Sequence, residues 1–373
     1  MRIKRAEIGE PTRYPQSCGD LWATAWAADN SLYCVSDDTL GFDQACESNL
    51  AIHRITGDEP PHLQGKTLNA MPQFGKLAEF SSVDNGMWKA MGLLCLEGVL
   101  YLAVSRHAHQ RESPFLIQET WDASIIKSTD GGKTWSAMPQ LGHAMFPGHT
   151  FSTPFFVQYG QDGQGEADGA GAFVYAVSSN GVWNNGSSMV LGRVRRARIG
   201  RLEAQDWEFV HEFDAQGQPV WRARHDTARY IFRNPGRTSM TGIHYIAPLG
   251  LYIMPQWYYP RLVDYRRSWS RTRLEFYQAP TPWGPWSLFH RQDFSPQAWY
   301  NPSFPAKFIS KDGRHLWMFV AGNFTDYERG AALDGYYGLF MLPLTLEVED
   351  GGLPSLTIPY LAASTSRPLS PSQ

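Results

Sequence analysis

One short pattern of apolar and polar positions returns five times along the chain. An apolar residue precedes an aromatic, a few strand-forming residues follow, and the run exits on small or polar side chains. The copies are SLYCVSDDT from Ser31, VLYLAVSRH from Val99, FVYAVSSNG from Phe173, GLYIMPQWY from Gly250 and HLWMFVAGN from His315. Their aromatics, Tyr33, Tyr101, Tyr175, Tyr252 and Trp317, stand 65 to 77 residues apart. A self-similar unit at this spacing marks a repeat architecture. Turn residues precede each copy, among them Asp29-Asn30, Glu97-Gly98 and Asp312-Gly313, and suit tight hairpins. Upstream of the turns lie further apolar runs: LWATAW, WKAMGLLCL, TFSTPFFVQY, TSMTGIHYI and SFPAKFI. Each copy therefore reads as a hairpin of two inner strands, and no helical periodicity of any length competes with it.

Five such hairpins predict an all-β, five-bladed β-propeller. A second marker falls downstream at nearly constant distance: Trp135, Trp207 and Trp286 follow the repeat aromatics by 34, 32 and 34 residues. The first ends STDGGKTW, Ser128 to Trp135, which resembles the Asp-box found at outer-strand corners of sialidase-like propellers. In such a corner Asp130 ties the turn and the tryptophan plugs between strands. The fifth blade is short of an outer strand, and an open edge invites pairing. The N-terminal RIKRAEI is expected to supply it. The reading is one propeller domain over residues 1–350 and a loosely held Pro/Ser-rich tail over 351–373.

In a propeller the first strand of each blade begins, and the second ends, at one mouth of the central channel. Strand starts place Asp20, Trp88 or Lys89, Phe151, Arg237 and Asn301 there. Strand ends add Asp37 and Asp38, Arg106 and His107, Asn180, Trp257 and Tyr258, and Asn323. This mixture suits a polar ligand pocket. Asp20 and Asp38 lie on the paired strands of one hairpin and should reach the same rim. Two carboxyls facing one pocket are what glycoside hydrolysis requires. The same residues also suit turn caps or arginine partners, and Asp37 or Asp43 replaces Asp38 under a shifted register. Glu275 is a third acid on a strand. Arg106, His107 and His109, or His244 and Tyr245 in GIHYIAP, would instead suit a polysaccharide lyase with a His or Tyr base and an arginine against a uronate. In WNNGSS, Trp183 could stack on a sugar while Asn184 bonds its hydroxyls. A non-catalytic carbohydrate- or protein-binding propeller is the remaining reading.

Composition sharpens this picture in a few places. Hydrophobic residues make up 43% and charged residues 18%, enough apolar material for a large core. Between Arg193 and Arg273 there are 15 arginines, no lysine and 7 acids. That segment is either salt-bridged strand surface or a site for an anionic group. No docking motif accompanies it, so nucleic acid is not an expected partner. Cys18, Cys34, Cys46 and Cys95 have neither zinc nor C-x-x-C spacing and read as reduced. No carboxylate cluster has metal spacing, so no cofactor is expected and a channel calcium has no support. The N-terminus has no apolar h-region and no apolar run reaches 18 residues. The chain as written is expected to be cytoplasmic, without a membrane partner. Nothing in the sequence sets an oligomeric state.

GDLWATAWAADNSLYCVSDDT, FPGHTFSTPFFVQYG, VYAVSSNGVWNNGSSMVLGRV, NPGRTSMTGIHY, APTPWGPWSLF and YNPSFPAKFISKDGRHLWMF resemble a bacterial group. That group is similar to the five-bladed propeller glycosidases that include bacterial endo-D-arabinanases. The resemblance spans roughly residues 17 to 345. It implies a carbohydrate-active enzyme working on an oligo- or polysaccharide, with two catalytic aspartates on the first blade. The matching positions are Asp20 in CGDLW and Asp38 in SDDT. Sialidases share only the Asp-box corner, and their N-terminal arginine motif is missing here.

Overall fold

A computed structural model describes residues 1–14, 16–109, 118–165, 171–260, 271–322 and 337–351. The chain opens with β1 (Arg2–Ile8) and the short β2 (Thr12–Arg13). Blade 1 follows as β3 (Ser17–Trp26), β4 (Leu32–Phe42), β5 (Ser48–Thr56) and β6 (Gln64–Asn69). Blade 2 is β7 (Met87–Leu96), β8 (Val99–His109) and β9 (Gln118–Ser128). Blade 3 starts on the two-residue β10 (Phe155–Phe156) and continues through β11 (Phe173–Ser179), β12 (Gly186–Arg195), β13 (Trp207–Phe213) and β14 (Pro219–Arg222). The next strand, β15 (Tyr230–Thr238), returns to pair with β12. Blade 4 is β16 (His244–Ile246), β17 (Leu251–Tyr258), β18 (Thr272–Ala279) and β19 (Ser287–Phe294). Blade 5 comprises β20 (Tyr300–Ser303), β21 (His315–Ala321) and β22 (Leu339–Glu349).

The five sheets are the blades of a propeller, and among the described residues the strands within each blade pair antiparallel. Inner strands are sandwiched between neighbouring blades, so both faces are covered. That is why β7 (MWKAMGLLCL) and β17 (LYIMPQWY) are buried at every position and read as continuous apolar runs. Blades 2 and 3 approach closely at Gly92, whose N–H donates to the Pro154 carbonyl at 2.9 Å. A Cβ on Gly92 would stand 2.6 Å from Phe155 Cα, so the position has room only for hydrogen.

The ring closes through its N-terminus. β1 pairs antiparallel with β22 as the outer strand of blade 5, from Arg2 opposite Glu349 to Ile8 opposite Leu344. Ile3 and Ala6 turn inward, and the Gln278 amide on β18 brackets Ile3, accepting from its N–H at 2.8 Å and donating to its carbonyl at 2.6 Å. At the STDGGKTW corner, Asp130 Oδ1 accepts from Ser128 Oγ and the backbone N–H groups of Lys133 and Thr134. Gly131 and Gly132 adopt positive φ there. Trp207 fills blade 3 against Phe146, Phe151 and Phe209. No helix among the described residues is long and apolar enough to cross a membrane. Residues 352–373, most of the expected tail, lie outside the described residues.

The innermost strands of blades 3 to 5 are shorter than the apolar runs suggest. TFSTPFFVQY keeps only Phe155–Phe156 in its sheet. SFPAKFI is largely turn and 3-10 helix at Ala306–Phe308. The prolines of both runs remove ladder donors.

Candidate active site

At one mouth of the channel, the β3–β4 hairpin departs from regular pairing. Cys18 faces Gly41 and Asp20 faces Asp37, which leaves Asp38 to Leu40 as extra residues in β4. On β3 a second irregularity follows Asp20, and Leu21 and Trp22 take φ of 73° and 51°. Asp38 itself sits at φ 40°. Bulges of this kind re-aim side chains, and strained backbone gathers where function requires it. One hydroxyl pins the arrangement. Thr39 Oγ1 donates to the Cys18 carbonyl at 2.6 Å and accepts from Ser36 Oγ at 2.7 Å and Gly41 N–H at 2.8 Å. Ser36 is backed in turn by His53 at 2.7 Å.

The result is three aspartates around one ammonium. Lys89 enters from β7 of blade 2, and its Nζ lies 2.5 Å from Asp38 Oδ1. The Lys89 side chain is 3% exposed, that of Asp38 36%, so this ion pair faces the funnel on the carboxylate side only. Asp37 is buried and accepts from the Ala90 N–H at 2.9 Å. Asp20 Oδ2 accepts from the Tyr300 phenol at 2.9 Å, and Tyr337 hydrogen-bonds the same carboxyl.

Burial pushes the Asp20 carboxyl up to about 7, and the neighbouring Asp38 charge acts the same way. Lys89 and the two phenols oppose the shift without cancelling it. Burial also lifts Asp37 well above the usual carboxylate range against the pull of Lys89. Burial opposes the Lys89 charge too, but Asp38, Asp37 and Asp20 together hold the ammonium above the ordinary lysine value. One cation shared among three carboxyls in low dielectric cannot keep all three ionised. The half-buried, ion-paired Asp38 and the enclosed, phenol-bonded Asp20 thus occupy different environments.

Other residues nominated from the sequence are placed differently. Arg106 is taken up by Asp84, at 3.0 and 2.5 Å, and by the Gly86 carbonyl, and lies over the Trp88 ring. That occupied guanidinium does not serve as a free anion clamp. Trp88 packs on Phe74 and is buried. His107 stacks on Trp183, whose ring in turn meets Trp257 and Tyr300. Trp257 is fully buried and bonded to the Met240 carbonyl, so it forms the wall behind the site. Phe151 lies in the aromatic core of blade 3, away from the channel. Asn184 is buried and accepts from the Gln118 N–H, a structural role. Asn180 donates to the Tyr230 phenol.

Glu275 is enclosed in blade 4, where it accepts from Tyr258, Tyr277 and Arg291 at 2.9, 2.5 and 2.7 Å, the partner role its arginine-rich setting suggests. Tyr258 is engaged there too. Arg237 belongs to β15 on blade 3, not to the first strand of blade 4, and its guanidinium lies over the Tyr258 ring. His244 and Asn301 line a narrow cavity further down the channel with Thr24, Gln158 and Ser303. Burial lowers His244 to about 3, which leaves it neutral. Tyr245 packs against Tyr159 and Tyr252 in a separate cluster. Asp43 is exposed in the turn after β4. The His109 side chain and Asn323 lie outside the described residues. Among the described residues the His, Tyr and Arg groups of a lyase are therefore dispersed, whereas the aspartates of blade 1 are brought together. Among the described residues, no group of three or more His, Cys, Asp or Glu is arranged to hold a metal ion.

Tyr300, Tyr337 and Asp84 escape the sequence reading. Tyr300 directly precedes the nominated Asn301 and could have been found by a one-residue shift along β20. Tyr337 and Asp84 belong to non-repeating stretches that carry no such signal.

No family model matches the chain, and no curated protein matches it. Solved structures do. A hydrolase candidate from Bacteroides ovatus superposes with a TM-score of 0.52 at 12% identity, over 90% of this chain and 87% of that one. The catalytic domain of the GH62 α-L-arabinofuranosidase of Coprinopsis cinerea gives a TM-score of 0.47 at 10% identity, covering 92% and 98%. A GH43 enzyme of Xanthomonas citri, complexed with xylotriose, gives 0.43 at 12%, covering 91% and 90%. What the chain has in common with the Bacteroides protein is the fold: it is a five-bladed β-propeller.

Proposed function

We propose that the chain is a glycoside hydrolase whose reacting carboxyls are Asp20 and Asp38. The observation that carries the reading is the contrasting placement of these two acids, Asp20 enclosed and bonded to Tyr300, Asp38 partly open beside Lys89. Cleavage of a glycosidic bond needs a neutral carboxyl to protonate the departing oxygen and an ionised one to act on the other side of the sugar. Asp20, buried and raised to about 7, suits the first task near neutral pH. Asp38, ion-paired with Lys89 and open to the funnel, suits the second. The likeness of the fold to a hydrolase candidate agrees with this assignment.

In this scheme Asp20 gives its proton to the glycosidic oxygen as the C–O bond breaks, and Tyr300 and Tyr337 steady the carboxylate left behind. Water supplies the hydroxyl to the sugar and ultimately returns the proton to Asp20. Lys89 and the Ala90 N–H fix Asp38 and Asp37, so the carboxyls meet the substrate without rearranging.

A panel of neutral and acidic oligosaccharides, read by product mass, tests the reading. Hydrolysis adds the mass of one water across the two products, whereas elimination adds none. Asp20→Asn and Asp38→Asn should each abolish turnover with melting preserved. Full turnover in both variants, or binding across the panel without cleavage, would overturn it.

A further inference from the structure

The arginine-rich segment is largely neutralised by its own acids. Arg193 pairs with Glu208, Arg198 and Arg201 with Asp206, and Arg271 and Arg273 with Asp293. β15 is different. Arg233 and Arg237 are both exposed, and neither has a carboxylate within ion-pair distance among the described residues. Arg237 makes only the ring contact with Tyr258, 5.9 Å from its centroid.

β15 lies beside the mouth of the channel. It pairs with the half of β12 nearest that mouth, Thr238 opposite Gly186 and Arg233 opposite Ser188. The Asn185 amide ties Gly236 and Tyr259 together, donating to both carbonyls at 3.2 and 2.9 Å. Tyr259 feels the charge of Asp20. Arg237 thus follows directly on Gly236, whose carbonyl shares the Asn185 amide with that of Tyr259. Tyr230, 42% exposed, adds a ring at the other end of the strand, its phenol accepting from Asn180 at 3.2 Å.

The funnel floor bears three carboxyls whose one ammonium, Lys89, is already engaged by them, so it offers an anion no free cation. The rim beside it bears two uncompensated guanidinium groups. We propose that Arg233 and Arg237, with Tyr230, form a rim subsite for an anionic substituent, carboxylate or sulfate, on the saccharide held at the aspartates. This rests on the glycosidase reading and deepens it. The substituent sits on a sugar displaced from the cleaved bond, because the cation of the floor is already taken by its own carboxyls. Planar guanidinium forks match both oxyanions, and the exposed ring gives a sugar face a surface to stack on.

Calorimetric titration tests the proposal on the Asp20→Asn protein, which holds turnover off, with four probes: oligogalacturonate, its methyl ester, a sulfated oligosaccharide and a neutral xylo-oligosaccharide. A charged probe should bind about tenfold or more tighter than its neutral counterpart at low salt, and the advantage should shrink as salt rises. Carboxylate and sulfate arms show which oxyanion is preferred. Arg233→Gln with Arg237→Gln should erase the charge-dependent increment and leave neutral binding and melting unchanged. Equal affinity for charged and neutral probes, no binding by any probe, or an increment that survives the double substitution overturns the proposal. Cleavage assays on the otherwise wild-type chain keep the two readings apart. Hydrolysis of neutral glycans without anion preference would leave the glycosidase and remove the subsite. Anion-dependent binding with no hydrolysis of any glycan would do the reverse.

Discussion

Tyr300→Phe removes one oxygen from the centre of the site and nothing else. The phenol donates to Asp20 at 2.9 Å, and this bond is one of the influences holding the carboxyl down against burial. A hydrogen bond to an ionised group contributes about 1.5 to 3 kcal/mol, and about 1.4 kcal/mol corresponds to one pKa unit. Complete loss would therefore raise Asp20 by about one to two units. Tyr337 remains on the same carboxyl and takes up part of the deficit, so the expected shift is about one unit. Asp20 acts in its protonated form, so its ionisation sets the alkaline limb of activity. In kcat/KM against pH that limb should move from about 7 in the wild type to about 8 in the variant, with the acidic limb in place. The variant would be more active than its own neutral-pH value suggests when assayed at mildly alkaline pH. An alkaline limb that stays at the wild-type position, or moves down, would refute Asp20 as the proton donor.

Three further outcomes follow from the same geometry. Because folding raises Asp20 from its ordinary carboxyl value to about 7, the folded state binds more protons than the unfolded one between roughly pH 4 and 7. Its contribution to stability is full below pH 4 and is lost as pH rises through 7; urea melts should show Asp20→Asn flattening that decline. Thr39→Val deletes the hydroxyl that joins Cys18, Ser36 and Gly41, and kcat should fall at least tenfold with a destabilisation of about 1 to 3 kcal/mol, while Thr39→Ser restores most of both. Trp207→Ala empties the aromatic centre of blade 3 and should cost about 3 to 5 kcal/mol in denaturant unfolding, with KM unchanged in whatever folded protein remains.

The repeated aromatic strand made the blades legible, because an inner strand pressed between two neighbours must be apolar on both faces. The pairing of β1 with β22 was legible for a related reason: blade 5 lacked an outer strand and RIKRAEI alternates as one. Asp20 and Asp38 could be brought to one rim from the hairpin, since both flank one turn, but the ladder sets Asp20 opposite Asp37 and an irregularity beyond that pair carries Asp38, which no local pattern foretells. The place of Lys89 within that group depends on packing between blades 1 and 2, which local pattern does not encode. Arg106 was legible as a mouth residue, but its partner Asp84 lies in an irregular stretch with no periodicity to place it. Arg237 was assigned to the wrong blade because TSMTGIHYI looks like one strand, whereas Thr238 still ladders onto Gly186 and only His244–Ile246 joins blade 4. Phe151 and Trp257 show the limit of reading rims from strand ends: at a large aromatic residue, core and pocket have the same sequence signature.

The bracketing of Ile3 by Gln278, together with the β1–β22 ladder, has a bearing on how the molecule is made. β1 leaves the ribosome long before its partner β22, so the circle is sealed by a pairing of residues more than 300 positions apart, Arg2 with Glu349. Closing so long a loop is entropically slow and comes late. Until then the emerging N-terminal segment is an unpaired edge, and the lysine and arginines it carries at Arg2, Lys4 and Arg5 guard it against foreign strands before they meet Glu347 and Glu349.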